Sequence, residues 1–519
     1  MDNKEIFIQQ IKDSYTFKGE YINMGGAIFK GESIKDVKIK IPLKTLNRHG
    51  LIAGATGTGK TKTLQLIAEG LSEKSIPVLM MDIKGDLSGI AKPGLSNLKI
   101  EERHNKIGEA YTPRGFPVEL LTLSEEKGTR LRATVSEFGP VLFSKILELN
   151  DTQSGIVSLI FKYCDDKQLP LLDLKDFKKV LQYITNEGKK EIEESYGKIS
   201  TTSTGTILRK VIELEQQKAE LFFGETSFEV DDLLRVDEEG CGIISILRLV
   251  DIQDRPKLFS TFMLSLLAEI YSSFPEEGDL DSPKLVIFID EAHLIFNEAS
   301  KALLDQIETI IKLIRSKGVG IFFCTQNPTD IPSSVLSQLG LKVQHALRAF
   351  TAKDRQMIKL TAENYPISEF YKTDEMLTSL GIGEAAITAL NEKGEPTALA
   401  ATLLCAPKSR MDILSETDMD EIINKSKLNS KYNQTIDRES AYEILNRKIQ
   451  FASQKEDRKI GTVPPGRRVT KEKSTLENIL DSPVTRQVGR TVAREITRGL
   501  LGVLGISGSV SRSKRGGLF

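Results

Sequence analysis

Cysteine, histidine and tryptophan are scarce in this chain of 519 residues, and their scarcity excludes several kinds of site. The sequence has four cysteines, four histidines and no tryptophan. The cysteines lie far apart with no C-x-x-C spacing, which favours packed free thiols over a zinc site or a disulfide framework. The histidines are equally scattered, so a histidine metal site is not expected.

Long hydrophobic runs are also missing. No apolar run approaches the ~20 residues that a membrane helix needs, and the start Met-Asp-Asn-Lys-Glu lacks the basic-then-apolar order of a signal peptide. With 39% hydrophobic and 28% charged residues, the chain can bury a large core. We therefore expect a cytoplasmic globular protein without an integral membrane span.

The net charge is close to zero, at −1, but basic and acidic residues are unevenly distributed along the chain. Residues 451–519 hold 14 Lys and Arg against 6 Asp and Glu, so the body of the chain is acidic. Val488, Val492, Ile496 and Leu500 recur at helical spacing beside a basic face in this tail. Such a helix can meet a protein partner, nucleic acid or a membrane surface, or can pack on its own protein.

A glycine-rich stretch, 51–61, joins a short apolar run to a helical pattern. Its Gly-x-x-x-x-Gly-Lys-Thr spacing is the phosphate loop, in the strand–turn–helix context that the motif requires. The glycines let backbone N–H groups approach the phosphates, while Lys60 neutralises phosphate charge and Thr61 offers its hydroxyl to Mg²⁺. The predicted nucleotide-binding residues are Gly54, Ala55, Thr56, Gly57, Thr58, Gly59, Lys60, Thr61 and Lys62.

A second motif begins with a continuous apolar run, 285–289, and ends in two adjacent acids. This is the Walker B arrangement, in which Asp290 holds a water on Mg²⁺ and Glu291 polarises the attacking water. Buried strands can also end in acids for solubility alone. The phosphate loop upstream favours the functional interpretation.

Two further strand ends carry polar residues. Gln326 follows the strand beside Walker B, where it can sense the γ-phosphate or the lytic water, or simply cap its loop. The apolar run 77–81 leads into Asp82, Lys84 and Asp86. These residues shape the edge of the nucleotide site or serve only as an N-cap and exposed turn charges.

Alternating buried strands and helices predict an α/β fold with a P-loop core and a largely parallel sheet. The predicted organisation is a short β or extended element at 1–45, core at 46–138, a helical insertion at 139–235, core again at 236–450, a disordered linker at 451–475 and a basic amphipathic tail at 476–519.

Taken together, 54–61, 288–293, 315–320 and 325–332 resemble the HerA/FtsK class of P-loop ATPases. The stretches 47–50, 82–86 and 344–350 bring the chain closest to the bacterial HerA-like family of the YjgR type. HerA proper carries a full N-terminal β-barrel before the loop, whereas only 1–45 stands there in this chain.

That resemblance implies that the P-loop core is RecA-like. It also implies a homo-oligomer, a hexamer in this class, with ATP and Mg²⁺ at subunit interfaces and double-stranded DNA in the ring. It implies catalytic roles for Lys60, Glu291 and Gln326. Arg315 falls where such motors carry an arginine finger that acts on the neighbouring subunit, although an interface salt bridge is an alternative. The function expected is ATP hydrolysis by a DNA translocase or helicase-like motor. The alternative is an ATP-dependent assembly or signalling switch that acts through protein partners.

Overall fold

The computed structural model of the chain describes residues 2–460 except 253–254, 279, 299–300, 435 and 437. The chain forms two compact units. The first contains Met1–Ala133, Ile212–Leu304 and Ile311–Arg438. The second contains Thr134–Val211, Asp305–Ile310 and Glu439–Phe519, of which 439–460 are described.

The strands all belong to the first unit and form one sheet. They are β1 (Tyr21–Phe29), β2 (Glu32–Pro42), β3 (Gly50–Ala53), β4 (Val78–Asp82), β5 (Val118–Thr122), β6 (Thr129–Arg130), β7 (Ile244–Arg248), β8 (Leu285–Ile289), β9 (Val319–Thr325), β10 (Leu341–His345), β11 (Glu384–Thr388) and β12 (Ala400–Leu404). Their order is β2-β1-β12-β11-β10-β3-β9-β8-β4-β7-β5-β6.

From β10 through β3 to β6 the neighbouring strands are parallel, and from β10 to β2 they are antiparallel. Parallel strands covered on both faces favour continuous apolar sequences, and every residue of β3, β4, β8 and β9 is buried. This is the largely parallel α/β sheet that the apolar runs predict.

The helices among the described residues are α1 (Asn3–Ser14), α2 (Lys60–Ser72), α3 (Leu98–Ile107), α4 (Val135–Ile146), α5 (Asp151–Lys167), α6 (Leu174–Thr185), α7 (Lys189–Ser195), α8 (Thr201–Gln216), α9 (Pro256–Ser273), α10 (His293–Glu298), α11 (Lys301–Ile314), α12 (Ser333–Leu336), α13 (Ala352–Glu363), α14 (Thr373–Ser379), α15 (Glu416–Lys425), α16 (Lys427–Tyr432) and α17 (Ala441–Ile460). None of these helices is both long and apolar enough to cross a membrane.

The N-terminal segment forms part of the first unit. Strand β1 pairs with β12, and Tyr15 donates its hydroxyl to the carbonyl oxygens of Ile387 and Ala398, at 2.9 and 2.7 Å. Burial raises the pKa of Tyr15 well above its ordinary range. Of the segment 1–45, the described residues 2–45 therefore extend the antiparallel side of the sheet instead of standing apart from it.

The described part of the second unit is helical, and α17, the last helix among the described residues, belongs to it. Phe143 of α4 packs against Phe177 of α6, with ring centroids 4.8 Å apart. The carboxylate of Asp176 accepts a hydrogen bond of 2.9 Å from the backbone N–H of Tyr442 at the start of α17. These contacts differ from the predicted organisation, which assigned the residues up to 450 to the core.

Helix α17 continues to Ile460, ten residues into the segment 451–475 that the sequence predicts to be a linker. The sequence of an amphipathic helix shows which face is apolar but not what that face packs against. Charged residues that follow the last apolar position therefore resemble a linker when only the sequence is considered. The rest of that linker and the basic amphipathic tail at 476–519 lie outside the described residues.

Candidate active site

The site residues predicted from the phosphate loop, Walker B and the following strand meet at one edge of the sheet. The phosphate loop follows β3, and β9 separates β3 from β8, which leads into Asp290 and Glu291. Gln326 follows β9 between them. Because these three strands are parallel, their carboxyl ends lie side by side, where ligands bind in α/β sheets.

The phosphate loop turns between β3 and α2 with its glycines in conformations that other residues avoid. Gly57 and Gly59 have φ values of 77° and 111°. Gly54 is needed for a second reason, because a Cβ there would lie 2.5 Å from the Cβ of His345. The loop is tied to the neighbouring strand by the N–H of Gly54, which donates to the carbonyl of Thr325 at 3.3 Å.

The lysine of the loop points into its own turn. Lys60 Nζ donates to the carbonyl oxygens of Gly54 and Ala55, at 2.7 and 3.2 Å. Its side chain is buried, and burial lowers its pKa, with the charge of Lys84 acting in the same direction. The ammonium is therefore held where the loop closes, at the start of α2.

Lys62 points away from this turn. Its Nζ donates to the carbonyl oxygen of Met411 at 2.5 Å and to Gln65 Oε1 at 3.4 Å. Burial lowers the pKa of Lys62, while the carboxylates of Asp86 and Asp412 raise it. Of the predicted loop residues, Lys62 thus has its side chain engaged elsewhere.

His345, a buried residue at the end of β10, contacts the helix that follows the phosphate loop. The sequence did not predict this contact. His345 Nε2 lies 2.8 Å from Thr63 Oγ1 on the first turn of α2. Burial, helped by the charge of Lys60, lowers the pKa of His345 to about 4. The imidazole is therefore neutral near pH 7 and fixes the orientation of the loop without adding charge.

The two Walker B acids differ in their surroundings. Asp290 is 4% exposed, and burial raises its pKa to about 6, while the ammonium of Lys84 opposes that rise. Glu291 adopts a φ of 45°, a left-handed conformation that a residue with a Cβ rarely takes. The turn is pinned by the N–H of Ala292, which donates to the carbonyl of Cys324 at 2.9 Å.

Glu291 has a charged partner at one carboxylate oxygen, whereas the other oxygen is buried and has no hydrogen-bond partner among the described residues. Oε1 forms an ion pair with Lys84 Nζ, and Oε2 lies 3.2 Å from His293 Nδ1. The sequence placed Lys84 at the edge of the site but did not connect it to Glu291. The strand order provides the reason, since β4 and β8 are neighbours and Met81 pairs with Ile289.

Asp82 shapes the loop that carries Lys84. Its Oδ1 accepts hydrogen bonds from the N–H groups of Gly85 and Asp86, at 2.7 and 3.2 Å, and its Oδ2 accepts one from Leu87 at 3.2 Å. The side chain is 1% exposed, and burial raises its pKa to about 6 against these bonds. This geometry favours the structural role among the two that the sequence left open.

Gln326 and Arg315 flank β9 at its opposite ends. Gln326 is exposed and follows Thr325, the residue whose carbonyl receives the first N–H of the phosphate loop. Arg315 is exposed and precedes the amino end of β9, where its charge joins burial in lowering the pKa of His49 to about 4. The seven residues of β9 span roughly 20 Å at ~3.3 Å each, so Arg315 is far from the phosphate loop of its own chain.

Comparison with known proteins agrees with this geometry. The family model described as "Helicase HerA-like C-terminal" matches residues 28–509. The chain belongs to the HerA-like family. The resemblance predicted from the nucleotide motifs is thereby confirmed.

Relatives of this chain include proteins with the name "DNA double-strand break repair helicase HerA". The protein of Sulfurisphaera tokodaii is 25% identical over 376 residues, which cover 70% of this chain and 66% of that protein. The protein of Sulfolobus acidocaldarius is 23% identical over 361 residues, which cover 68% of this chain and 64% of that protein. The HerA-like chain thus spans about two thirds of the length of these relatives.

The fold itself recurs in a solved structure. The bacterial conjugative coupling protein TrwBdeltaN70 superposes with a TM-score of 0.50 at 14% identity, covering 78% of this chain and 94% of that one. At this identity the likeness shows the fold alone. It confirms the predicted P-loop core with a largely parallel sheet for this HerA-like chain.

The role of Asp82 in the HerA-like site can be tested with Asp82→Asn. An amide has only one acceptor oxygen, so at least one of the three backbone N–H groups loses its partner. We expect a loss of about 1–3 kcal/mol in the free energy of unfolding, measured with urea at pH 8, where the wild-type carboxylate is ionised. Asp86→Asn in the same loop is the control and should cost less. Unchanged stability with an altered Mg²⁺ requirement would show instead that Asp82 serves the metal.

Proposed function

We propose that this chain is an ATP-hydrolysing motor that acts on double-stranded DNA as a ring. The observation that carries the proposal is the meeting of the phosphate loop with Asp290 and Glu291 at one edge of the sheet, with only β9 between their strands. A nucleotide held by the loop has the acids beside its terminal phosphate. That is the arrangement for attack by water.

The loop Gly54–Lys62 binds ATP through its backbone N–H groups and the start of α2, which favours anions. Lys60 exchanges its carbonyl partners for phosphate oxygens, which are better partners for an ammonium. Lys62 contributes its backbone N–H to the cradle, since its side chain is engaged elsewhere.

Mg²⁺ fits the residues beside the loop. Among the described residues, Asp290 Oδ2 is buried and has no hydrogen-bond partner, which leaves a carboxylate oxygen for a metal-bound water. Thr61 stands at the first turn of α2 and offers a hydroxyl. Hard oxygen donors of this kind, completed by phosphate and water, suit Mg²⁺.

Hydrolysis needs a group for the water and a group for the developing charge. Glu291 takes the first role and Gln326 orients the same water or senses the γ-phosphate. Arg315, at the far edge of the sheet, serves the ATP of a neighbouring subunit. This assignment requires a homo-oligomer, and a hexameric ring working in the cytoplasm is the form we propose.

DNA as the substrate is supported by family membership and by the two relatives named as DNA double-strand break repair helicases. The test is ATP hydrolysis by size-resolved full-length protein with and without duplex DNA. We expect duplex DNA to raise turnover, and the stimulation to fall steeply between about 50 and 200 mM salt as phosphate contacts are screened.

Heparin is the control, because it is a polyanion without a duplex. Equal stimulation by heparin, or none by DNA at low salt, would count against the DNA motor and leave the ATPase assignment standing. Absence of any hydrolysis at all would remove the ATPase as well.

A second candidate is an ATP-dependent switch that acts on protein partners, with the C-terminal tail as one contact. It is favoured by the charge distribution, since residues 1–450 are net acidic and only the tail is basic. A general positive field for DNA is therefore absent from the sequence of the body. A switch would respond to a partner protein and ignore duplex DNA in the same assay.

A further inference from the structure

Lys84 makes a contact that the predicted roles of the site do not use. Its ammonium forms an ion pair with Glu291 Oε1, with Lys84 40% exposed and the glutamate 8% exposed. Burial lowers the pKa of Lys84, but the hydrogen bond to Glu291 and the charges of Asp290 and Asp86 outweigh it and leave the pKa raised. Lys84 is therefore a protonated side chain, partly exposed, beside the carboxylate of Glu291.

The turn that follows β4 restricts the position of the Lys84 backbone. Asp82 holds three backbone N–H groups of the turn, and Gly85 adopts a φ of 75°. A Cβ at Gly85 would lie 2.9 Å from Val250 Cγ2, so the turn is confined from outside as well. Lys84 is thus fixed at its backbone beside the end of β8.

Glu291 needs such a partner. It follows a buried strand in a left-handed conformation, and its buried Oε2 has no hydrogen-bond partner among the described residues. Lys84 and His293 each face one of its oxygens. A carboxylate that must orient a water works only if its own orientation is restricted.

We propose that Lys84 is a positioning residue for hydrolysis, which holds the carboxylate of Glu291 in the orientation from which it orients the attacking water. The proposal rests on the proposed ATPase function. It differs from a phosphate-binding role, which would act on nucleotide affinity, and from an inhibitory contact, which would lower turnover in the wild-type protein.

The ion pair is tested first, without nucleotide, by competitive lysine acetylation of the full chain followed by mass spectrometry. Glu291→Gln removes the charge that keeps Lys84 protonated, and half a pKa unit changes the fraction of neutral amine about threefold. We expect Lys84 to be acetylated about threefold faster or more. Lys92, 35% exposed and paired with Asp418 at 3.3 Å, is the internal control and should not change. Unchanged reactivity of Lys84 would overturn the proposal.

Turnover is tested second. Lys84→Met should lower kcat about tenfold or more while the KM and the equilibrium affinity for ATP stay within about twofold, as expected when an interaction serves only the transition state. Lys84→Arg keeps the charge and should recover most of the loss. In a Glu291→Gln background, Lys84→Met should cost nothing further. Lys92→Met is the matched control, and thermal unfolding confirms that each variant is folded.

Three results would contradict the positioning role: unchanged or increased kcat in Lys84→Met, a loss of ATP affinity in proportion to the loss of kcat, or an equal loss in the Glu291→Gln background. A wild-type protein that hydrolyses no ATP would refute the proposed function and with it a role in hydrolysis. The acetylation rates would then still decide whether the ion pair exists in solution.

Discussion

A Lys60→Ala variant should bind ATP too weakly to hydrolyse it, whereas a Glu291→Gln variant should bind ATP and retain it. Lys60 is buried at the loop, where its ammonium donates to the carbonyl oxygen of Gly54, and we propose that it neutralises phosphate charge when ATP binds. If Glu291 acts on the water as we propose, replacing its carboxylate by an amide should leave the phosphates bound and lower kcat by about 10²–10⁴-fold.

The measurement combines ATP binding at equilibrium with single-turnover hydrolysis for each variant. Lys74→Ala is the control for the loss of a lysine, because Lys74 lies just beyond α2 in an ion pair with Glu20. Equal loss of ATP affinity in Lys60→Ala and Glu291→Gln would refute this division of roles. Retained turnover in Glu291→Gln would assign the water to another residue.

The meeting of these residues could be predicted because each motif lies at the carboxyl end of a continuous apolar run. Such runs form buried parallel strands, and parallel strands bring their carboxyl ends to one edge. The positions of the phosphate loop, Asp290, Glu291 and Gln326 relative to the strands therefore follow from local patterns alone.

Other contacts depend on the order of the strands, which local patterns do not contain. Lys84 meets Glu291 because β4 lies beside β8, although about two hundred residues separate them in the sequence. His345 supports the loop because β10 lies beside β3. The packing of α17 on the helical unit is of the same kind, since an amphipathic helix specifies a face but not a partner.

The position of Arg315 in the fold leads to a prediction about two neighbouring subunits. It precedes β9, while the phosphate loop follows β3 at the opposite edge, and β3 and β9 are parallel neighbours. The length of β9 keeps Arg315 away from the phosphate loop of its own chain, and we therefore propose that it acts on ATP bound by another copy. If Arg315 acts as a finger in this way, Arg315→Ala should lower kcat by about 10³–10⁵-fold.

The decisive measurement uses mixed rings of Lys60→Ala and Arg315→Ala subunits. The first variant has a dead loop and an intact finger, and the second has the reverse, so each alone should be inactive. In a head-to-tail ring assembled at random from equal amounts, about a quarter of the interfaces join an intact loop to an intact finger. ATP hydrolysis should therefore reappear on mixing, although neither subunit carries a complete site.

Two controls separate a finger from an interface salt bridge. Lys312→Ala removes an exposed cation one turn earlier on α11 and should keep its activity. Arg315→Lys keeps the charge but loses the planar fork that suits phosphate, so a finger should stay impaired while a salt bridge should recover. If rings shown by native mass spectrometry to contain both variants remain inactive, or if Arg315→Ala only weakens assembly, Arg315 has no part in hydrolysis by its neighbour.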